Sequence, residues 1–412
     1  MEHFNLSKKH KSMNDILPVE LIRIIFLMVP AKQLARFRCV SKLWHSLISD
    51  PHFAQSHFNL HSATPSPSCL FVKALTEAYF VHLDPLINVS SASASASVKE
   101  VSLPFKKKAP SEFRLMGCCR GFVLFHRERH FLVVWNPLTG SSQRISYSRV
   151  ESRSYLHRYS DAIIYGFGYD DSQDDYIVVL AWRDRYPQSQ RLQNHLDCFS
   201  LRTNSWINLD PALPKPLGWR EWQPCGLFLN GAIHWLSYDL HSYIDAILIF
   251  DLKDRSFSKI SIPELLVRSS ANLIVLGGCL ALDIHDHHKT YIWVMKEYKV
   301  QSSWTLMYEI PYGDCDPLCL SNGFGSDIIL LEYSEGYTKI RFAKYNASGE
   351  LLQHFNHPSP HNSFKHRRLK HFIVHTESLL PFPSDLKDMD KKKKTGHRVR
   401  GECFEQVEHE EA

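Results

Sequence analysis

The pattern of hydrophobic and polar positions divides the chain into a short helical segment and a long region of strands. Between Asp15 and Phe53, apolar residues recur at helical spacing in three runs, separated by Pro30 and Ser41. The first run is apolar on two faces, one made by Leu21, Ile24, Ile25 and Met28 and the other by Ile22, Phe26 and Val29. A helix that is apolar nearly all round must be buried nearly all round.

Two sources of burial are open for this helical segment. Three helices in about 40 residues are near the lower limit for a self-sufficient core, so something else must cover the remaining apolar surface. The helices can pack on the rest of the chain, or they can dock into a groove of a separate partner. The spacing alone favours neither interpretation.

From about Cys69 to Leu380 the pattern changes to short strands separated by turn residues, and it repeats as units of four strands. Five complete units are predicted at Phe113–Ile145, Asp161–Leu209, Gly226–Ile262, Asn272–Ile310 and Pro317–Phe355. Three strands within Leu70–Leu103 and one at Phe372–His375 make a sixth, which closes the ring. The expected fold is a small all-α module followed by an all-β propeller with six blades, seven being the main alternative.

Strand parity predicts which loops share a face of this ring. Successive strands of a blade alternate in direction, so turns from first to second and from third to fourth strand lie on one face, here called the tight-turn face. Turns from second to third strand and connections between blades lie on the other, here called the long-loop face. The chain enters the ring at a second strand, which places the helical segment on the tight-turn face.

Composition limits the classes of partner. The net charge is +5 with 22% charged residues, and the basic runs 106–108 and 391–394 are short, so no nucleic-acid surface is expected. No stretch reaches the roughly 20 apolar residues that span a bilayer, and no secretory signal is visible. We therefore expect no membrane contact, a cytoplasmic or nuclear location, and ten cysteines kept as thiols, without spacing for structural zinc.

Residues 283–288, with the sequence DIHDHH, carry metal-ligand side chains, but they lie where a blade turns from its second to its third strand. A solvated loop is the default interpretation. The chain has no nucleophile elbow, phosphate-cradling loop or dinucleotide fingerprint. We accordingly predict no catalytic residues, no metal site and no cofactor.

The helical segment resembles an F-box along its whole length. The residues that carry the resemblance are Leu17-Pro18, Glu20-Leu21, Leu34, Arg36 to Val40, Ser41-Lys42-Leu43-Trp44, Leu47-Ile48, Asp50-Pro51 and Phe53. One departure is residues 29–34, VPAKQL, where plant members more often have LPVKSL. The resemblance implies binding to the small Skp-type adaptor of a cullin–RING ubiquitin ligase.

The strand region resembles the plant F-box-associated domain, often called kelch-like. The resemblance is carried by residues 166–170 (GFGYD), 135–139 (WNPLT), 229–236 (LNGAIHWL), 250–252 (FDL) and 292–298 (IWVMKEY). Kelch units carry a Gly-Gly pair in each blade, and here Gly277-Gly278 is the one such pair. The resemblance therefore supports a propeller, and kelch is a loose label for it.

Together these features predict five regions: a disordered N-terminus at 1–13, the F-box at 14–53, a linker at 54–67, the propeller domain at 68–380 and a disordered charged tail at 381–412. The implied function is a non-catalytic substrate receptor of an SCF-type ubiquitin ligase. It would reach cullin and RING subunits through the adaptor and bind an unknown protein substrate. The alternatives are an F-box scaffold outside a ligase and a propeller lectin or enzyme.

Two sets of contact residues follow. The apolar helices and the F-box resemblance place the adaptor on Leu17, Pro18, Leu21, Ile25, Leu34, Val40 and Trp44, of which Trp44 is the first candidate for internal core. Tryptophan, tyrosine and arginine are usual interface anchors. Residues of these three types in the loops of the long-loop face are therefore the predicted substrate contacts: Trp182, Arg183, Arg185, Tyr186, Trp219, Arg220, Trp222 and Tyr243. Long loops are also tolerated as insertions without function, so both interpretations stay open.

Overall fold

The structure is a computed structural model of the chain. It describes residues 17–62, 69–73, 78–83, 97–104, 113–127, 131–146, 163–183, 194–209, 225–238, 244–266, 271–285, 288–311, 315–321, 327–333, 340–356 and 372–383. None of the helices in this described part of the chain has the length and apolar character needed to cross a bilayer.

Four helices precede the strands: α1 (Val19–Leu27), α2 (Ala31–Phe37), α3 (Lys42–Ile48) and α4 (Pro51–Ser62). Proline stands directly before α1 and α2 as the N-cap residue. The predicted cap of α3 is confirmed, because the Ser41 side chain accepts a hydrogen bond from Trp44 N at 3.2 Å.

The fourth helix differs from the sequence prediction, which made residues 54–67 a linker. The buried residues of this helix are Phe53, Ala54 and His57, which share one helical face. Only two of the three are apolar, so the sequence did not show the apolar periodicity of a helix. Asp50 marks its start, since the Asp50 carboxylate accepts a hydrogen bond from Phe53 N at 3.2 Å. Residues 54–62 are therefore part of the folded helical segment.

The described strands form six four-stranded antiparallel sheets, so the predicted six-bladed propeller is confirmed. Blade 1 holds β4 (Phe113–Cys119), β5 (Phe122–Arg127), β6 (Phe131–Trp135) and β7 (Ser142–Ser146). Blade 2 holds β8 (Ile163–Asp170), β9 (Asp175–Arg183), β10 (Asn194–Ser200) and β11 (Ser205–Leu209). Blade 3 holds β12 (Leu227–Leu229), β13 (Ala232–Tyr238), β14 (Ile244–Asp251) and β15 (Ser256–Ser261).

The next two blades repeat the same order. Blade 4 holds β16 (Ala271–Leu276), β17 (Cys279–His285), β18 (Thr290–Met295) and β19 (Trp304–Ile310). Blade 5 holds β20 (Cys315–Leu320), β21 (Ile328–Tyr333), β22 (Ile340–Tyr345) and β23 (Leu351–Asn356). First strands of neighbouring blades contact one another, which makes them the inner wall of the ring.

The two ends of the strand region close the ring in blade 6. This blade holds β1 (Cys69–Lys73), β2 (Ala78–His82), β3 (Ser97–Val101) and β24 (Phe372–His375). The last strand pairs antiparallel with the first, from Cys69 opposite His375 to Val72 opposite Phe372. Closure by both ends covers a sheet edge that would otherwise stay open.

Burial explains why the middle strands were readable from the sequence. All five residues of β6 are buried, because a middle strand packs against neighbouring blades on both faces. The outer strand β7 buries one residue, Ile145. Asn230-Gly231 joins β12 to β13 with φ of 50° and 74°, which is the backbone of a tight hairpin.

The helical segment and the propeller share a hydrophobic core. One cluster combines Ile22, Phe26 and Phe53 from the helices with buried residues of blades 1 and 2, such as Phe122. The same cluster includes Leu379, Leu380 and Phe382 from the stretch that follows β24, residues 376–383, here called the C-terminal segment. The buried Phe382 lies beyond the predicted domain end at 380.

Candidate partner-binding surface

Helix α1 leaves one apolar face in solvent. The opposite side of the helix is buried through Ile22 and Phe26. The exposed residues of this face are Leu21 (47%), Ile24 (51%), Ile25 (50%) and Met28 (75%), here called the α1 face. Complete burial of one such side chain contributes about 1.5–3 kcal/mol, so this face can drive association.

The structure distributes the seven predicted adaptor residues over three environments. Leu21 and Ile25 lie together on the α1 face, and Pro18 and Val40 are also exposed. Leu17 is half-buried. Leu34 and Trp44 lie inward: Leu34 is fully buried, and the Trp44 ring meets Phe26 edge-on at 4.8 Å. The structure therefore assigns Leu34 to the core of the free chain and not to its surface.

Two residues of the α1 face, Ile24 and Met28, are absent from the predicted adaptor set. Ile24 and Met28 carried the necessary signal, because they share the predicted helical face of Leu21 and Ile25. The exposed part of the face is therefore larger than the chosen residues indicated.

Helix α4 holds α1 in place through two stacked histidines. His57 and His61 are one turn apart, with ring centroids 4.3 Å from each other. The His57 Nε2 lies 2.8 Å from the Val29 carbonyl oxygen, and the His61 Nε2 lies 2.9 Å from the Leu27 carbonyl oxygen. These contacts satisfy carbonyls at the C-terminal end of α1, where the helix itself offers no partner.

Two further groups tie the helices to each other and to the ring. Arg23 donates to the Asp50 carboxylate at 2.9 Å, joining α1 to the start of α4. Burial lowers the pKa of His57, which keeps its imidazole neutral. From α2, Lys32 Nζ lies 2.7 Å from His82 Nε2 at the end of β2 in blade 6.

Arg120 links helix α4 to the ring. It lies in the turn from β4 to β5, with its guanidinium carbon 3.6 Å from the Tyr169 ring centroid and 4.8 Å from that of Phe58. It also donates a hydrogen bond to the Gln55 side chain at 2.8 Å. Because the β4–β5 turn joins a first to a second strand, the helices lie on the tight-turn face, as the parity argument predicted.

The C-terminal segment is fixed to the same face. The buried Asn136 amide donates to the carbonyl oxygens of Ser378 at 3.0 Å and Leu380 at 3.2 Å. Gly121, at φ 87°, passes so close to Ser378 that a side chain at this position would collide with it. The ring, the helices and this segment therefore form one packed unit.

The predicted substrate residues are only partly within the described chain. Trp182 and Arg183 end β9, opposite His195 and Asn194 of β10. As the end of a second strand, this position belongs to the long-loop face. The other predicted residues lie outside the described residues: Arg185, Tyr186, Trp219, Arg220, Trp222 and Tyr243.

The region predicted as a solvated loop at 283–288 is partly inside a strand. Asp283 belongs to β17 and is buried, His285 ends that strand, and His288 is exposed. Asp283, His285 and Asp316 offer ligand-type atoms that all lie within 4.8 Å of one another. The prediction of a solvated loop was therefore wrong for Asp283, because the strand continues through these polar residues to His285.

The buried thiols lack the environment of a nucleophile. Burial raises the pKa of Cys198 and Cys319 to about 12. These cysteines are free and lie within the blades. At neutral pH they are packed thiols and not thiolates.

Comparisons with known proteins agree with both halves of this geometry. Residues 15–56 match the F-box domain, and residues 75–329 match the F-box associated beta propeller domain. The chain is 29% identical over 348 residues to the F-box/kelch-repeat protein At3g23880 of Arabidopsis thaliana, covering 81% of this chain and 88% of that protein. It is 28% identical over 320 residues to the F-box protein CPR1 of Arabidopsis thaliana, covering 71% of this chain and 73% of that protein.

Proposed function

Because this chain belongs to the family of proteins with an F-box associated β-propeller domain, we propose that it is a substrate receptor of an SCF-type ubiquitin ligase. The F-box binds a Skp-type adaptor and, through it, the cullin and RING subunits. The long-loop face of the propeller binds the target protein. The subunit itself is non-catalytic and acts by bringing the target to the ligase.

The α1 face is the observation that carries this proposal. It presents Leu21, Ile24, Ile25 and Met28 to solvent although the other side of the same helix is buried in the core that the helices share with the ring. An unpartnered apolar helix face of this kind suits helix-in-groove recognition. It lies within the residues that match the F-box domain.

The placement of the helices supports a bridging role. Their contacts through Arg120 and Lys32 are with the tight-turn face, which leaves the long-loop face free of the helical segment. A receptor that binds an adaptor on one side and a target on the other can hold both without steric competition. The scaffold alternative shares the adaptor contact but requires no turnover of a target.

The adaptor contact is tested by replacing two exposed residues of the α1 face, Ile24→Asp with Ile25→Asp, in the full chain. Loss of two buried apolar side chains should weaken binding to a purified Skp-type adaptor about 100-fold or more, measured by titration calorimetry. Both side chains are half-exposed in the free protein, so its melting temperature should stay unchanged.

Leu60→Asp is the matched control, because Leu60 is equally exposed but lies on α4. It should bind the adaptor like the wild type. Equal adaptor affinity of the double variant and the control would refute the assignment. Co-purification with cullin, and turnover of captured proteins that depends on this subunit, then separate a ligase receptor from a scaffold.

A further inference from the structure

A group of metal-ligand side chains lies between blades 4 and 5, away from the helical segment. Asp283 and His285 are two residues apart on β17, so they project from the same face of that strand. Asp316 comes from β20, the first strand of the next blade. The ligand-type atoms of the three residues lie within 4.8 Å of one another.

Charge balance is the first argument for a cation between them. Asp283 is 1% exposed, and one carboxylate oxygen accepts a hydrogen bond from Asn272 N at 3.0 Å. The other oxygen lies 3.5 Å from His285 Nε2. Within the described part of the chain, no lysine or arginine pairs with Asp283. Buried carboxylates are normally paired with a cation or coordinate a metal ion.

The orientation of the imidazole is the second argument. His285 Nδ1 lies 3.1 Å from the hydroxyl of buried Thr290, a distance at which a protonated Nδ1 donates to that oxygen. The Asn272 side-chain nitrogen lies 3.4 Å from His285 Nε2 and donates towards it. With Nδ1 protonated, Nε2 is the nitrogen that can bind a metal ion, and its single lone pair would then exchange the long contact with Asn272 for the metal. Metal-binding histidines are commonly oriented in this way, by a hydrogen bond from the nitrogen that does not bind the metal.

We propose that Asp283, His285 and Asp316 bind one divalent transition-metal ion of the Zn²⁺ or Mn²⁺ type. One nitrogen and two carboxylate oxygens are a ligand set that such ions accept, at bond lengths of about 2.0–2.2 Å. The ion would add a link between two blades that already share packing and a hydrogen bond from the Cys315 thiol to the Thr290 hydroxyl at 3.3 Å. The end of β17 and the start of β20 both belong to the long-loop face, so coordination positions not taken by the protein face that side.

Metal binding is measured on the full chain after treatment with a chelator and dialysis. Titration calorimetry with ZnCl₂ and elemental analysis should both give one equivalent, and Co²⁺ should give a d–d absorption spectrum. The variants His285→Gln and Asp316→Asn should each lower the affinity for Zn²⁺ by more than about tenfold. His288→Gln is the matched control, because His288 is exposed in the same region and should leave the affinity unchanged.

A protonated His285 between two carboxylates is the competing explanation, and thermal melting separates it from a metal site. If a metal fills the site, Zn²⁺ raises the melting temperature of the wild type above its value in chelator, and this rise is lost in His285→Gln. If a protonated imidazole fills the site instead, Zn²⁺ leaves the melting temperature of the wild type at its value in chelator. That result, or Zn²⁺ affinity equal in all variants, would overturn the proposal.

Discussion

At the residue scale, several polar side chains are held buried in one protonation state. His234 is fully buried in β13, where its Nδ1 lies 3.2 Å from the Leu227 carbonyl oxygen and its Nε2 lies 2.9 Å from the Tyr298 hydroxyl. Burial raises the pKa of Tyr298 to about 12, so its hydroxyl stays protonated at neutral pH. Burial lowers the pKa of His234 to about 4, so the imidazole remains neutral.

This residue predicts an acid-sensitive fold. Because the pKa of His234 in the folded chain is lower than the ordinary value of about 6.5, the stability it supports is complete above pH 6.5 and falls as the pH drops towards 4. From pH 7 to pH 5 the loss should be about 2 kcal/mol for this group.

Urea unfolding at pH 7 and pH 5 checks this prediction. The variant His234→Gln should lose about 2 kcal/mol less between the two pH values than the wild type. His126 and His375, whose pKa values burial also lowers to about 4, should keep the variant partly acid-sensitive. An identical pH dependence in variant and wild type would contradict the role of His234.

Arg120 gives a second prediction at this scale. Its backbone is left-handed at φ 49°, and its side chain stacks on Tyr169 and Phe58. Asparagine tolerates this backbone but cannot make the stacking contacts. Arg120→Asn should therefore lower the free energy of unfolding by about 1–3 kcal/mol, measured by urea denaturation.

Lys299→Asn is the control for that substitution. Lys299 also has a left-handed backbone, at φ 66°, and its ammonium lies 5.4 Å from the Tyr298 ring, but the residue is exposed. Its replacement should change the stability by less than about 0.5 kcal/mol. Equal effects of the two substitutions would show that Arg120 does not hold α4 to the ring.

At the element scale, β24 and the C-terminal segment unite the ends of the chain. The strand supplies the inner wall of blade 6 by pairing with β1. The segment that follows buries Leu379, Leu380 and Phe382 in the cluster shared by the helices and blades 1 and 2. Phe382 meets the Phe122 ring at 4.8 Å. Ring closure and helix docking therefore depend on the same twelve residues, 372–383.

Two truncations test this dependence. Ending the chain after residue 371 removes the strand and three buried apolar side chains, a loss of more than about 5 kcal/mol from burial alone. This is comparable with the whole stability of many domains, so cooperative thermal unfolding should disappear. Ending the chain after residue 383 should leave the melting temperature unchanged. A cooperative transition in the shorter variant would contradict closure by β24.

At the scale of the whole molecule, the helical segment and the ring act as one body with two faces. The helices occupy the tight-turn face through α4, Arg120 and the contact of Lys32 with His82. The exposed α1 face is thus held at a fixed orientation to the ring. In the proposed receptor, this fixes the direction in which a target on the long-loop face is presented to the ligase.

At this scale we predict that binding of the adaptor and binding of the target protein can be lost independently of each other. Replacing Trp182, Arg185, Trp219 and Trp222 together by alanine should abolish capture of target proteins from plant extract and leave adaptor affinity unchanged. The Ile24→Asp, Ile25→Asp variant should lose the adaptor and keep the captured proteins. Quantitative mass spectrometry of the captured proteins measures the first effect. Unchanged capture by the folded alanine variant would contradict target binding by the long-loop face.

The sequence by itself determined the blades, because their middle strands are buried on both sides and must be continuously apolar, as in β6. It also indicated the face of α1 that carries Leu21, Ile24, Ile25 and Met28, since helical periodicity is local. Tight turns such as Asn230-Gly231 were readable because their backbone favours particular residues. These features depend on neighbours within a few positions along the chain.

Only the tertiary structure decided which apolar residues stay exposed and which polar residues meet. Leu34 and Ile25 are equally apolar, but Leu34 lies in the shared core and Ile25 in solvent. Helix α4 was missed because its stability comes from packing against the ring more than from its own composition. Asp316 joins Asp283 and His285 because adjacent blades bring together residues more than thirty positions apart, a contact that no local pattern encodes.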